Sequence, residues 1–178
     1  MEKTVNKNYV YQGRIIKVRN DDALAENGKP CKREIVEHRG GAAILAVEEK
    51  KFVYLVKQYR YAYEKELLEI PAGKIEENEN PYDTAIRELE EELGLKADKI
   101  EPFGEVYPTP GYCNEIIRLY LAENFVRTHT HFDDDEYLES FKLTLDEAIK
   151  MIMDGTIKDS KTIVALLKYK AVSYTHLR

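Results

Sequence analysis

The segment from Gly73 to Leu95 constrains this chain more than any other, because nine of its positions follow one fixed spacing. Five residues separate Gly73 from Glu79, and seven more separate Glu79 from the pair Arg87-Glu88. A random chain of this length would match all nine positions with odds on the order of 1 in 10 million. The remaining fixed positions are Leu89, Glu91, Glu92, Gly94 and Leu95.

This segment predicts a loop at 70–74 followed by a helix at about 81–93. Asn80 is a strong N-cap residue, and Pro81 suits the first helical position. Gly94 favours the left-handed conformation that ends many helices. Apolar residues recur on one helical face, at Ala85, Ile86, Leu89 and Leu93.

Three carboxylates, Glu88, Glu91 and Glu92, share one stripe of this helix, away from its apolar face. Side chains of like charge at this spacing repel one another by a few tenths of a kcal/mol per pair. A solvated surface tolerates that repulsion, and a divalent cation relieves it. Clustered carboxylate oxygens suit Mg²⁺ or Mn²⁺. The glycines and the arginine at fixed spacing around the stripe favour the metal site over a merely solvated face.

Composition bounds the classes of function. A chain of 178 residues, with 43% hydrophobic and 34% charged residues, is the size of one soluble domain, or of one domain with a small appendage. A net charge of −6 argues against nucleic-acid binding. No apolar run is long enough to span a membrane, and the first residues lack the apolar core of a signal peptide. Cys31 and Cys113 are two lone thiols, which favours a cytoplasmic protein.

The pattern along the chain predicts an α/β fold: an α/β/α sandwich around a mixed sheet, preceded by an N-terminal antiparallel β segment. We expect that segment at residues 1–38 and the main domain at 39–171. A capping box at Thr144 and Glu147 predicts one further helix, and Ser160 is the predicted cap of the last. Strands are predicted at 9–18, 31–38, 42–47, 52–58, 101–107, 116–122 and 137–142.

The last residues, 172–178, resemble the translation of a sequencing adapter. We expect them to be a non-native tail. The alternative is an ordinary helix end with a polar extension.

The segment from Gly73 to Leu95 resembles the Nudix box, the signature of hydrolases that cleave a nucleoside diphosphate linked to another group. Residues 8–170 are similar to the ADP-ribose pyrophosphatase branch of that family. The stretches that carry the similarity are Tyr11-Gln12-Gly13-Arg14, Arg33-Glu34-Ile35-Val36, Val56-Lys57-Gln58-Tyr59-Arg60 and Leu68-Glu69-Ile70-Pro71-Ala72-Gly73, with Pro110 about fifteen residues after the box.

The resemblance implies the metal ligands. Glu88 and Glu92 match the family's main ligands, Glu91 matches a further one, and the backbone carbonyl of Ala72 matches another. Arg87 matches a residue that pairs with these carboxylates. The catalytic group implied is therefore Glu91, Glu92 and Arg87.

An acidic residue from a mobile loop completes the site in the resembled branch, as a ligand or as a base. We favour Glu136 for both roles. Asp133, Asp134 and Asp135 remain alternatives, as does an ordinary acidic surface loop.

Four residues are candidates for substrate binding: Arg60, Arg33, Tyr11 and Pro110. Arg60 is able to offer a two-pronged guanidinium to the terminal phosphate, or is only a surface charge at a strand end. Tyr11 is one of thirteen tyrosines that could stack on the base. Arg33 and Pro110 enter through the resemblance alone.

The function implied is a Mg²⁺-dependent hydrolase, with Mn²⁺ as a possible substitute, that converts ADP-ribose to AMP and ribose 5-phosphate. The alternatives are hydrolysis of another nucleoside diphosphate sugar such as ADP-glucose, hydrolysis of phosphoribosyl pyrophosphate, and a non-catalytic domain that senses ADP-ribose. The partner is then a small nucleoside diphosphate sugar. The resemblance also implies a homodimer formed through the N-terminal β segment.

Overall fold

The computed structural model describes residues 1–130 and 138–175. The chain divides into two compact units. The first consists of Met1–Gly40 with Tyr107–Ile116, and the second of Gly41–Val106 with the described residues from Ile117 onward.

The first unit is a small antiparallel sheet, which confirms the predicted N-terminal β segment. It comprises β1 (Lys3–Asn6), β2 (Tyr9–Gln12), β3 (Ile16–Leu24) and β4 (Pro30–His38). The central strand is β3, which pairs with β4 along its whole length and with β1 and β2 in turn. Segment 107–116 joins β4, where the N–H of Val36 donates to the Tyr112 carbonyl at 2.7 Å.

The second unit is built on a mixed sheet in the order β11-β6-β5-β10-β9. The central pair, β5 and β10, runs parallel, and the other pairs run antiparallel. Two further strands add to it, because β7 pairs with β6 and β8 pairs with β5. The strands are β5 (Gly41–Glu48), β6 (Phe52–Arg60), β7 (Lys65–Glu69), β8 (Ala72–Lys74), β9 (Leu95–Val106), β10 (Ile117–Arg127) and β11 (Glu139–Thr144).

Helices cover both faces of this sheet, which confirms the predicted α/β/α sandwich. They are α1 (Pro81–Leu93), α2 (Leu145–Met153) and α3 (Ser160–Thr175). Successive residues of β5 point to opposite faces. Ala42 and Ile44 pack with Leu89 of α1, whereas Ala43 and Leu45 pack with α2 and α3. In the described residues, no helix is long and apolar enough to cross a lipid bilayer.

The predicted bounds of α1 are confirmed. The side chain of Asn80 accepts a hydrogen bond from the N–H of Tyr82 at 3.0 Å. Gly94 ends the helix at φ 59°, and its N–H donates to the Glu90 carbonyl at 2.9 Å. A β-carbon would be strained at this φ, which explains the glycine.

The cap predicted for the last helix was wrong by one residue. Ser160 is the first helical residue, and the Asp159 carboxylate accepts from the N–H of Thr162 at 2.9 Å. Asp and Ser are similar N-cap residues, so the sequence alone did not choose between them.

Several strands also differ from prediction. The strand predicted at 9–18 is broken by a turn at Gly13, whose N–H donates to the Ile16 carbonyl at 2.9 Å. The loop predicted at 70–74 contains β8, and β1 and β7 were not predicted. Short strands such as these carry little periodicity, and their pairing partners determine them.

Candidate active site

Strand β8 and helix α1 meet where Gly73 lies against Glu88. A β-carbon at Gly73 would stand 1.6 Å from Oε1 of Glu88 and 2.2 Å from its carboxyl carbon. Only glycine therefore allows this close approach of backbone and carboxylate. The fixed glycine of the motif is explained by the glutamate fifteen positions later.

Arg87 connects the acidic residues around this contact. Its Nη1 lies 2.7 Å from Oε1 of Glu88 and 2.8 Å from Oε2 of Glu91. Its Nε lies 3.1 Å from Oε1 of Glu79. Glu79 also accepts from the N–H of Glu76 at 2.9 Å, so it ties the loop before α1 to the helix.

The ion pairs around Arg87 shift the pKa of Arg87 and the pKa of Glu79 in opposite directions. Burial alone would lower the pKa of Arg87, but Glu79, Glu88 and Glu91 outweigh burial and raise it well above its usual range. Burial alone would raise the pKa of Glu79, but the hydrogen bond from Arg87 outweighs burial and lowers it. Both groups are therefore fully charged at neutral pH.

The carboxylate stripe is less solvated than its sequence position suggested. Glu88 is 7% exposed and Glu92 3% exposed, whereas Glu91 is half-buried. Strand β8 packs against α1 and covers Glu88 where that side chain meets Gly73. In residues 1–130 and 138–175, no three acidic, imidazole or thiol groups converge into a ready metal-binding cluster. One carboxylate oxygen of Glu88 and one of Glu91 instead accept hydrogen bonds from Arg87.

Arg60 uses its guanidinium fork within the second unit. Its Nε and Nη2 donate to the two carboxylate oxygens of Glu69 at 2.7 and 2.6 Å. Nζ of Lys161 donates to the same carboxylate. Burial alone would raise the pKa of Glu69, but these two cations outweigh burial and lower it.

Three other candidates lie in the first unit. Arg33 pairs with the carboxylate of Glu2, with Nε 2.9 Å from Oε2. The Tyr11 ring folds over Gly13, where a β-carbon would lie 2.6 Å from its hydroxyl. Pro110 is exposed in segment 107–116. The structure therefore groups Tyr11, Arg33 and Pro110 in one unit and the other described candidates in the second.

Glu136 and its alternatives, Asp133, Asp134 and Asp135, lie outside the described residues. The chain before them is described as far as residue 130. There the N–H of Thr128 donates to the carbonyl of Gly94 at 2.7 Å, at the C-terminal end of α1.

Sequence reasoning missed Glu69 and Lys161. A signal was present at each position. Glu69 is an acid within the apolar run before Pro71, and Lys161 is a cation in the first turn of a helix, where the helix dipole disfavours it. A charged residue in an apolar run and a cation at the start of a helix are both locally unfavourable, which indicates that each has a specific partner.

Comparison with known proteins identifies the family. The model of the NUDIX domain matches residues 37–166. The chain belongs to the Nudix family. The matched range includes Gly73, Arg87 and the three carboxylates, so this Nudix hydrolase carries the complete box.

Its curated relatives are similar in length and carry several names. It is 41% identical to the methanol dehydrogenase activator of Bacillus methanolicus over 93% of this chain and 90% of that protein. It is 40% identical, with the same coverage, to the ADP-ribose pyrophosphatase of Bacillus subtilis. It is 34% identical to the GDP-mannose pyrophosphatase of Yersinia enterocolitica over 85% of this chain and 84% of that protein.

Proposed function

We propose that this Nudix hydrolase cleaves ADP-ribose to AMP and ribose 5-phosphate with Mg²⁺ as its cofactor. One observation carries the chemistry: Glu88 and Glu92 are both buried on α1, and Gly73 admits the carboxylate of Glu88. Ionised carboxylates are costly to bury unless cations or hydrogen bonds compensate them. The site is therefore built to hold positive charge.

The residues present suit a hard divalent cation. Glu88, Glu91 and Glu92 offer carboxylate oxygens, and Ala72 offers a backbone carbonyl in β8 beside Gly73. Oxygen donors of this kind are those that Mg²⁺ prefers, with Mn²⁺ as a substitute. Bound Mg²⁺ would neutralise diphosphate charge and lower the pKa of an attacking water.

Arg87 orients the carboxylates. Its guanidinium bridges Glu79, Glu88 and Glu91, which limits the repulsion among the acids. A carboxylate within hydrogen-bond reach of the water is also required to accept its proton. We assign that role to Glu136, as the resemblance to the ADP-ribose pyrophosphatase branch implies.

Substrate recognition is proposed for Arg60, Arg33, Tyr11 and Pro110. The Arg60 fork is engaged by Glu69, so this arginine would either leave that carboxylate or present its remaining N–H groups to phosphate. Arg33 likewise would exchange Glu2 for an anionic group of the substrate. An aromatic face such as that of Tyr11 suits stacking on adenine.

A hydrolysis panel tests the substrate. Purified protein with Mg²⁺ is incubated with ADP-ribose, ADP-glucose, GDP-mannose, NAD⁺ and phosphoribosyl pyrophosphate, and the products are identified by chromatography. We expect the highest kcat/KM for ADP-ribose, with AMP as product. Glu92→Gln, assayed in parallel, controls for contaminating phosphatase. Faster cleavage of another compound would refute the proposal that ADP-ribose is the preferred substrate.

GDP-mannose is the favoured second substrate because several relatives, including that of Yersinia enterocolitica, are named GDP-mannose pyrophosphatase. Its mannose is larger than ribose and its base differs, while the diphosphate linkage is shared. The same panel decides between the two.

We also propose a cytoplasmic homodimer that forms through the first unit. The free thiols of Cys31 and Cys113 suit a reducing compartment. Strands β1 and β2 are exposed at every position, including Val5, Val10 and Tyr11. Exposed apolar residues on short strands of this kind favour pairing with a second copy.

Light scattering at micromolar concentration tests the dimer. Val10→Asp should shift the protein to monomer, because a charge would be buried in the interface. Met153→Asp is the matched control, since Met153 is 72% exposed on α2 in the other unit. A wild-type monomer with full activity would contradict the proposal.

A further inference from the structure

A closed ring of hydrogen bonds joins the start of α3 to the chain just before the Nudix box. Asp159 accepts from the Thr162 hydroxyl at 2.6 Å and from Nζ of Lys161 at 3.0 Å. Lys161 also donates to Glu69, and the next residue, Ile70, donates its N–H to Oγ1 of Thr162 at 2.8 Å. The ring therefore holds both the side chain of residue 69 and the backbone of residue 70.

Three side chains of this ring are buried, and that of Asp159 is half-buried. Glu69 is 2% exposed, Lys161 5% exposed, and Thr162 fully buried. Two cations, Arg60 and Lys161, balance two anions, Glu69 and Asp159, so the network carries no net charge. Removing a single member would leave a buried charge or polar group without its partner, and the remaining members would have to rearrange.

The ring lies two residues before the carbonyl of Ala72. After Ile70, the Pro71 carbonyl accepts from the N–H of Ile44 at 2.9 Å, and Ala72 pairs with Ala43 of β5. The short segment 70–73 is thus fixed to α3 at one end and to the central sheet at the other. Its position determines where Gly73 meets Glu88.

The charge of Lys161 is in an unfavourable local place. It is the second residue of α3, where the helix dipole is positive and repels a cation. Its partners Glu69 and Asp159 compensate that repulsion. The position of Lys161 is therefore explained by its ion pairs with Glu69 and Asp159, and not by the preferences of α3.

We propose that Lys161 and Thr162 are positioning residues for the metal site, acting through segment 70–73. This inference rests on the proposed function, because it assumes that the carbonyl of Ala72 and the carboxylate of Glu88 bind the cation. Neither Lys161 nor Thr162 touches the cation or the substrate. Loss of either residue shifts the backbone carbonyl of Ala72 relative to the carboxylates of α1.

Thr162→Val removes the hydroxyl and keeps the shape, and Thr162→Ser keeps the hydroxyl. Mn²⁺ binding is measured by electron paramagnetic resonance without substrate, together with amide hydrogen exchange of the peptide that contains Ile70. We expect Thr162→Val to weaken Mn²⁺ binding about tenfold, as loss of an outer-shell partner does, and to speed exchange at Ile70. Thr162→Ser should restore both.

Lys161→Met should weaken Mn²⁺ binding in the same way, and Lys170→Met is its matched control. Lys170 lies on the same helix and pairs at 2.7 Å with exposed Asp146. Circular dichroism establishes that each variant is folded. If Lys161→Met does not fold, the Thr162 pair decides the question.

Unchanged Mn²⁺ affinity in Thr162→Val, with faster exchange at Ile70, would overturn the positioning role and leave the proposed function intact. A wild-type protein that binds Mn²⁺ but does not cleave ADP-ribose would refute the substrate alone. A wild-type protein that binds no Mn²⁺ would refute the metal site and the positioning role together.

Discussion

Replacing Gly73 by alanine tests the central contact of the site. The new β-carbon would stand 1.6 Å from Oε1 of Glu88, whereas ordinary contact begins at 3.4 Å, so this oxygen must retreat by about 1.8 Å. Glu88 is 7% exposed and packed between α1 and β8, so it has little room. Its hydrogen bond from Arg87, 2.7 Å long, is lost in the movement.

The loss of stability follows from the steric clash and from the lost hydrogen bond. Overpacking and the loss of a charged hydrogen bond together should lower the free energy of unfolding by about 2–4 kcal/mol. For a chain of this size the melting temperature should fall by about 5–15 °C. If Glu88 binds the cation as proposed, its displacement by more than 1 Å should reduce kcat/KM by about a hundredfold or more.

A double-mutant cycle in thermal denaturation tests the explanation. In a Glu88→Ala background the clash is absent, and Gly73 has no left-handed φ, so Gly73→Ala should be neutral or slightly stabilising there. Gly111→Ala is the control, because a β-carbon at Gly111 would meet no atom within 4 Å. Equal destabilisation by Gly73→Ala in both backgrounds would refute the reasoning.

Three further predictions concern the carboxylates and the cation. Glu92→Gln should lower kcat about a hundredfold, as loss of a preorganised charged group does, with Glu90→Gln as the matched control on the same helix; near-normal turnover with Mg²⁺ would sink the assignment. Excess chelator should abolish hydrolysis, and Mg²⁺ or Mn²⁺ should restore it; activity that persists in chelator would rule the mechanism out. Because the pKa of Glu69 is lowered in the folded protein, its charged form stabilises the fold at neutral pH, and that contribution is lost as the pH falls below about 4.5 and through the lowered pKa. The difference in melting temperature between wild type and Glu69→Gln should therefore shrink on acidification, and a difference that grows in acid would contradict this sign.

Local signals in the sequence were sufficient for the box and for the class of fold. Asn80, Pro81 and Gly94 define α1 through capping and backbone preferences that depend on a few neighbouring residues. The continuous apolar run of β5 and the capping box at Thr144 are local in the same sense. The α/β/α sandwich followed from these patterns, and the Nudix family followed from the resemblance of the segment from Gly73 to Leu95 to the Nudix box, before any contact was known.

Tertiary structure alone decided which groups meet. The spacing of the box did not show that Gly73 is required because Glu88 lies against its backbone, since the contact joins β8 to α1. Nor did it show that Arg60 would meet Glu69, or that Lys161, ninety-two positions later, would share the same carboxylate. The helical pattern placed the three carboxylates away from the apolar face of α1, but it did not show that Glu88 and Glu92 are buried in the folded protein. Periodicity records which face a side chain occupies; what covers that face depends on residues distant in the chain, and only the fold brings them together.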